Sequence, residues 1–160
     1  MTSKGFTTCL WFDGNAEAAA DFYLSVFKDG RIGRIGRYTE AGPGPAGEVM
    51  VVEFEINGQK FVGLNGGPQF AFTEAVSFQI HCADQAEADH YWEALTEDGG
   101  QEVACGWLKD KFGLSWQVIP TEAIDLISDP DPERATRASA AMLKMKKLNV
   151  AELRRAAAGG

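Results

Sequence analysis

The sequence predicts an α+β fold of two tandem βαβββ modules followed by C-terminal helices. Three observations carry that expectation. Asn15 and Asp84 each stand between a β-rich stretch and an amphipathic one, in the place of a helix cap, and they are 69 residues apart. The same offset carries Phe22-Tyr23 onto Tyr91-Trp92, so an aromatic pair on the buried face recurs in both helices. Strand-like runs separated by Gly-rich turns follow each helix, which makes the chain self-similar at one fixed offset.

Taken in order, residues 7–12 are β-branched and aromatic and read as a strand. Asp13-Gly14-Asn15 turns the chain and leaves Asn15 as cap. Ala19, Phe22, Tyr23, Val26 and Phe27 then recur at helical spacing. Residues 31–38 read as a strand, the Gly- and Pro-rich residues 40–47 as a loop, and residues 48–56 as another strand. Asn57-Gly58 is a hairpin signal that returns the chain along residues 59–64. The pattern restarts with a strand at 75–82, and Asp84 with Glu87 forms a capping box. Ala88, Tyr91, Trp92 and Leu95 give the second helix, which Gly99-Gly100 ends. Residues 101–107 and 114–119 read as strands around a turn at 109–113. Beyond Pro120 the character is helical: residues 121–127, a helix opened by Asp131-Pro132, and a last helix capped by Asn149 with Glu152 in the box position. Met142, Met145 and Leu148 form a narrow apolar stripe that packs on the parent domain or on a dimer mate. The implied organisation is a duplicated domain over residues 1–130, with module one at about 5–70 and module two at about 71–120, and a helical tail at 131–160.

Composition narrows the function classes. A chain of 160 residues with 45% hydrophobic and 24% charged residues is of ordinary globular make-up. A net charge of −8 argues against nucleic acid and against an anionic membrane surface. Seven Lys or Arg residues against one acid, Glu152, follow from Arg134 onward, a bias read as a solvated helical face. No leader is legible at the start and no run is long enough to span a bilayer. Cys9, Cys82 and Cys105 form no CxxC pair, so free and mostly buried thiols in a reducing cytoplasm are expected.

Candidate site residues come from alternation. Phe78, Ile80 and Cys82 form one face of the strand at 75–82, and Ser77, Gln79 and His81 form the other. A polar face on an interior strand requires water or a ligand, because burying it unpaired is costly. On the last strand Ser115, Gln117 and Ile119 oppose Trp116 and Val118, so Gln117 extends the polar floor from Ser77. The imidazole of His81 suits a general base or a hydrogen-bonding rim. His90 reads as solvated, and Asp110 and Lys111 as turn residues. Trp11, Trp107, Phe70 and Phe72 are available as aromatic walls or as core.

Longer strings carry a family resemblance. Leu10-Trp11-Phe12-Asp13-Gly14-Asn15-Ala16-Glu17-Ala18-Ala19 opens the first half, and Cys105-Gly106-Trp107-Leu108-Lys109-Asp110-Lys111-Phe112-Gly113-Leu114-Ser115-Trp116-Gln117-Val118-Ile119-Pro120 closes the second. Asn65-Gly66-Gly67-Pro68 and Ala75-Val76-Ser77-Phe78 lie between them. Together, over about residues 6–120, they resemble the 3-demethylubiquinone-9 3-methyltransferase-like, or PhnB-like, group of the glyoxalase/bleomycin-resistance (vicinal oxygen chelate) superfamily. The resemblance implies βαβββ modules that curl their strands around a small-molecule cleft, and a homodimer. In metal-using relatives, ligands come from the first and last strands of each module. Carried over, these positions are Thr8 and Ser77, seven residues before each cap, together with a position near Asn65 and Gln117. None is His, Asp, Glu or Cys, so no metal of the family type and no other cofactor is expected. If a bulge shifts the first strand by one residue, Cys9 and Trp11 face the cleft instead of Thr8 and Leu10. Cys9 then offers a single thiol, reactive only beside a base.

The expectation for function is a metal-independent protein binding a small organic molecule. The alternatives are an isomerase, lyase or methyltransferase-like enzyme acting through His81 or Cys9, and a dimeric interaction protein. No glycine-rich loop opens a helix after a strand as an adenosylmethionine-binding Rossmann domain requires.

Overall fold

A computed structural model describes residues 5–160; residues 1–4, the first half of the stretch on which the leader reading rests, lie outside the described residues. The chain divides into two compact units, Met1–Phe72 and Thr73–Gly160. Each holds one open four-stranded sheet.

In the first unit β1 (Thr8–Phe12) leads into α1 (Ala16–Val26), and β2 (Gly30–Arg37), β3 (Val49–Ile56) and β4 (Gln59–Asn65) follow. The strand order is β1-β4-β3-β2, with β1 parallel to β4 and the other neighbours antiparallel. Asn57 and Gly58 have φ of 50° and 76°, the left-handed pair that a tight hairpin between β3 and β4 requires. The helix covers one side of the sheet. Its buried Ala16, Ala19, Ala20, Tyr23 and Val26 face a core that includes Val52, Phe54, Ile56 and Phe61. Tyr23 stacks on Phe54 at 6.1 Å, and Phe54 on Phe61 at 5.2 Å. Phe22 is only half-buried, so one ring of the expected pair carries this packing.

The second unit repeats the order with β5 (Ser77–Cys82), α2 (Gln85–Thr96), β6 (Gln101–Glu102), β7 (Trp107–Lys109) and β8 (Ser115–Pro120), arranged β5-β8-β7-β6. The α+β expectation therefore holds in both halves. One strand expected over residues 101–107 is in fact two. Cys105 and Gly106 leave the extended conformation with φ of 57° and 82°. Their N–H groups donate instead to the Met145 and Lys146 carbonyls, at 2.8 and 2.7 Å. The tail thus supplies the hydrogen bonds that the missing strand residues would have made.

The caps divide in the same way. Asp84 accepts from the Glu87 N–H at 2.9 Å, and Glu87 reaches back to the Ala83 N–H at 2.7 Å, so this capping box forms. Asn15 makes no side-chain cap bond. The Ala16 N–H donates to Asn65 Oδ1 at 2.9 Å, so the side chain satisfying the start of α1 comes from β4.

The remaining helices, α3 (Thr121–Ile127), α4 (Pro132–Met142) and α5 (Val150–Ala158), bury Ala123, Leu148 and Leu153 together. Met142 and Met145 pack on that cluster, which answers the Met stripe with an intramolecular partner. Gln85 clamps the approach to α5: its amide donates to the Leu148 carbonyl at 3.0 Å and accepts from the Val150 N–H at 2.9 Å. The basic bias of the tail is matched by acids. Lys146 meets Glu102, Lys147 meets Asp89, Arg154 meets Glu122 and Arg134 meets Asp129. Arg137 donates to the Ala156 and Ala157 carbonyls at the end of α5, where a cation suits the helix dipole. No helix among the described residues is long and apolar enough to cross a membrane.

Candidate functional site

Strand pairing sorts the side chains of each sheet into a helix side and an open side. In the second unit the open side forms three rows. Gln101, Lys109, Ser115 and Ser77 run across the sheet in the first, Trp107, Gln117 and Gln79 in the second, and Ile119 and His81 in the third. The opposite side carries Leu108, Trp116, Phe78, Val118, Ile80, Pro120 and Cys82, all buried except the half-buried Phe78.

A hydrogen-bond chain ties the polar rows together. Gln79 Nε2 donates to Gln117 Oε1 at 3.3 Å, and Gln117 Nε2 donates to Ser77 Oγ at 2.8 Å. Three of the sequence-predicted residues are therefore joined directly. His81 is exposed at the next row, beside Ile119. Trp107 stands next to Gln117 as a half-buried wall. At the other end Lys109 forms an ion pair with Glu74, whose hydrogen bond and charge hold the Glu74 carboxyl below the usual carboxylate range.

The face depends on Asp110 in the adjoining turn. Its carboxylate is 2% exposed. Oδ1 accepts from the Phe112 and Leu114 N–H groups at 2.8 and 3.1 Å, and Oδ2 from Trp116 Nε1 at 2.9 Å. These bonds fix the turn between β7 and β8 and orient Trp116 toward Phe78, whose ring centre is 5.5 Å away.

The first unit settles the register that the sequence left open. Leu10 and Phe12 are buried on the helix side, and Thr8 shares that side by alternation. Cys9 and Trp11 face the open side, paired with Val62 and Leu64. The physical reason is one extra turn residue. Asp13 and Gly14 separate β1 from the Asn15 cap position, whereas Ala83 alone separates β5 from Asp84. Gly14, at φ 82°, takes the left-handed conformation of the longer turn. Counting seven residues back from the cap thus lands on opposite sides in the two halves, and the open-side counterpart of Ser77 is Thr7. Asn65 likewise points to the helix side, with Oδ1 on Ala16 and Nδ2 on the Val49 carbonyl at 3.1 Å. The open-side counterpart of Gln117 is Val62.

Trp11 is held by its Nε1 donating to the Gly67 carbonyl at 2.8 Å and by Phe70 edge-on at 4.8 Å. Gly66 lies under the indole, where a Cβ would come within 2.3 Å of the ring. Phe72 packs on Phe12, at 5.4 Å, and so leaves the open side. Cys9 is exposed and Cys105 half-buried, so of the three thiols only Cys82 meets the expectation of burial. Burial, with the Glu87 charge second, pushes the Cys82 thiol up to about 12.

The open side of the first sheet also holds groups that the sequence reading passed over. Arg31 pairs with Glu55 at 3.1 Å and Arg34 with Glu53 at 3.0 Å. With Thr7, Lys60 and Val62, the first pair and Glu53 line a cavity of about 450 Å³. The alternation of Glu53 and Glu55 with the buried Phe54 and Ile56 was the available signal. A larger cavity of about 710 Å³ lies at the strand ends, between the start of α1 and the loop after β2. Three of its polar side chains are committed to the backbone: Arg37 donates to the Gly47 carbonyl, Tyr38 to the Asn65 carbonyl, and Asn65 to the Val49 carbonyl.

Comparison with known proteins places the chain. Residues 4–119 match the family described as 3-demethylubiquinone-9 3-methyltransferase. The chain belongs to this family. The PhnB protein from Bacillus cereus is 36% identical, with a TM-score of 0.65 over 73% of this chain and 99% of that one. A protein from Pseudomonas aeruginosa, 21% identical over 74% of this chain and 98% of its own, shares the fold with a TM-score of 0.60. So does the fosfomycin resistance protein FosX from Mesorhizobium loti, at 13% identity and a TM-score of 0.50 over 72% of this chain and 90% of that one. No curated protein matches. The family is the group that the sequence strings resemble.

Proposed function

We propose that this family member binds a small amphipathic organic molecule on the open side of the β5–β8 sheet, without a divalent metal of the superfamily type. The observation that carries the reading is the Ser77–Gln117–Gln79 chain, a polar floor on a sheet face flanked by Trp107 and His81. Such a floor orients a ligand through a few polar contacts while an apolar wall supplies contact area. The donor chemistry supports the metal-free part. In the register of each sheet, the corresponding positions are Thr7 and Val62 in the first unit and Ser77 and Gln117 in the second, and neither an aliphatic side chain nor neutral hydroxyls and amides hold Zn²⁺ or Mn²⁺ well. Among the described residues no three His, Cys, Asp or Glu side chains converge.

If the bound molecule is chemically changed, His81 is the group placed to move a proton, since its imidazole is exposed and has no partner among the described residues. We further propose that the protein works as a cytoplasmic homodimer. The exposed Ile32 and Ile35 on the edge strand β2 favour that reading. The test is native mass spectrometry and metal analysis of the purified protein. A copurifying organic molecule that is lost in Gln117→Ala is the expected result. Stoichiometric metal that disappears on changing Ser77 and Gln117 overturns the metal-free reading.

A further inference from the structure

Ser115 sits in the middle of the first row of the open side, between Ser77 and Lys109. It is 1% exposed, and its Oγ is the buried side-chain oxygen or nitrogen that lacks a hydrogen-bond partner among the described residues. Leaving such a hydroxyl unpaired in the interior is costly, so its persistence on a sheet face calls for a partner that comes and goes. Its neighbours are donors as well. Ser77 Oγ accepts from Gln117, which leaves its own O–H to donate. Lys109 carries three N–H donors and one carboxylate partner, Glu74.

We propose that Ser77, Ser115 and Lys109 form a subsite for the carboxylate of a small organic acid, and that Glu74 occupies the Lys109 end of it in the free protein. This inference rests on the small-molecule reading above and names the ligand class. Two hydroxyl donors and an ammonium in one row match an acceptor-only, singly charged group. The Glu74 carboxylate already on Lys109 is the internal precedent for that group. Side-chain exposure says which partner yields: Glu74 is 57% exposed and Lys109 31%. An incoming carboxylate takes the ammonium, the Glu74 side chain moves into water, and the Ser115 hydroxyl gains its acceptor. The neutral Gln117 and Gln79 amides and the Trp107 ring, one row on, then receive the body of the ligand.

The experiment uses the full chain and three probes of one shape: benzoate, benzyl alcohol and benzylamine, titrated by backbone amide NMR. Benzoate is expected to bind about tenfold more tightly than benzyl alcohol, in line with a charge-assisted contact, and benzylamine more weakly than either. Glu74→Gln, at an exposed loop position, is expected to raise benzoate affinity several-fold and leave benzyl alcohol unchanged. Lys109→Met should abolish the preference for benzoate, and Ser115→Ala should lower benzoate affinity alone. If benzyl alcohol shifts the Ser77 and Gln117 resonances as strongly as benzoate does, with no effect of Glu74→Gln, the carboxylate subsite is overturned and the small-molecule reading stands. If no probe perturbs those resonances, both are overturned.

Discussion

Thr7, Cys9 and Trp11 at the start of the first sheet correspond to Ser77, Gln79 and His81 of the second, and Val62 and Leu64 correspond to Gln117 and Ile119. On the helix side the matched positions stay apolar: Leu10 and Phe12 answer Ile80 and Cys82. On the open side they diverge. The first sheet carries a thiol, an indole and aliphatic groups, bordered by two Arg–Glu pairs across β2 and β3. The second carries neutral amides and hydroxyls linked in a chain. Core burial constrains the side that faces a helix, because each buried residue there contributes roughly 1.5–3 kcal/mol. Apart from Ser115 and Ile119, which are buried, the open side is free of that requirement, so two copies of one backbone hold different chemistry there. The units also differ in how they end. The first finishes on a short aromatic segment, with Phe70 against Trp11 and Phe72 against Phe12, whereas the second is built out with three helices.

The largest expected effect tests that last difference. Removing residues 131–160 takes away Leu148 and Leu153, whose burial contributes about 4 kcal/mol together, and frees the Cys105 and Gly106 N–H groups. Hydrogen exchange should show lost protection across β5–β8 and retained protection in the β3–β4 hairpin. Unchanged protection in β5–β8 would mean that the tail is an accessory to the second unit.

Next in size is the contrast between the polar hubs of the two units. Asp110→Ala strands Trp116 Nε1–H and two backbone N–H groups in the interior and should cost about 3 kcal/mol or more. Asn65→Ala removes one helix-start bond and one carbonyl partner, at about 1–2 kcal/mol. Urea unfolding of the two variants should rank them in that order; equal losses would mean that the Asp110 hub contributes no more than a cap.

The exposed Cys9 and the buried Cys82 offer a smaller, pH-dependent contrast. Cys82 in the folded chain keeps its proton up to about 12, whereas an unfolded cysteine ionises near its ordinary value of 9.0. The folded state therefore binds the extra proton between those two values, and stability should be complete below pH 9 and fall as pH rises above it. Cys82→Ala should flatten that part of the curve. Thiol labelling at neutral pH should modify the exposed Cys9 and spare Cys82; rapid labelling of Cys82 in the native protein would contradict its burial.

The smallest stability effect is expected for Gln117→Ala. Its amide is half-buried and bonded only to open-side neighbours, so unfolding free energy should shift by about 0.5 kcal/mol or less, while ligand affinity drops about tenfold. A loss of several kcal/mol would recast Gln117 as part of the second unit's framework.

Much of this architecture is legible along the chain because its signals are local. The period of Ala19, Tyr23 and Val26, the Asn57-Gly58 turn and the Asp84–Glu87 box each act within a few residues, and each appears where expected. The alternation of Ser77, Gln79 and His81 against Phe78, Ile80 and Cys82 is local too, and it placed the polar floor. The errors lie where distant segments decide. Asn15 has cap chemistry, yet Asn65 from β4 reached the Ala16 N–H instead. Residues 101–107 have strand chemistry, yet the carbonyls of Met145 and Lys146 drew Cys105 and Gly106 out of the ladder.

The opposite sides of β1 and β5 show the boundary most clearly. The order of elements, the repeat at a 69-residue offset and the polar face around Gln117 are properties of this sequence by itself, because periodicity and caps are written residue by residue. Which side of β1 is open was a tertiary decision. The helix-side core accepted Leu10 and Phe12, Gly14 supplied the longer turn that let it, and Cys9 and Trp11 were left to face outward. The same is true of Ser115, an ordinary strand serine in the sequence, which only the pairing of β5, β7 and β8 sets between Ser77 and Lys109 with its hydroxyl unpaired.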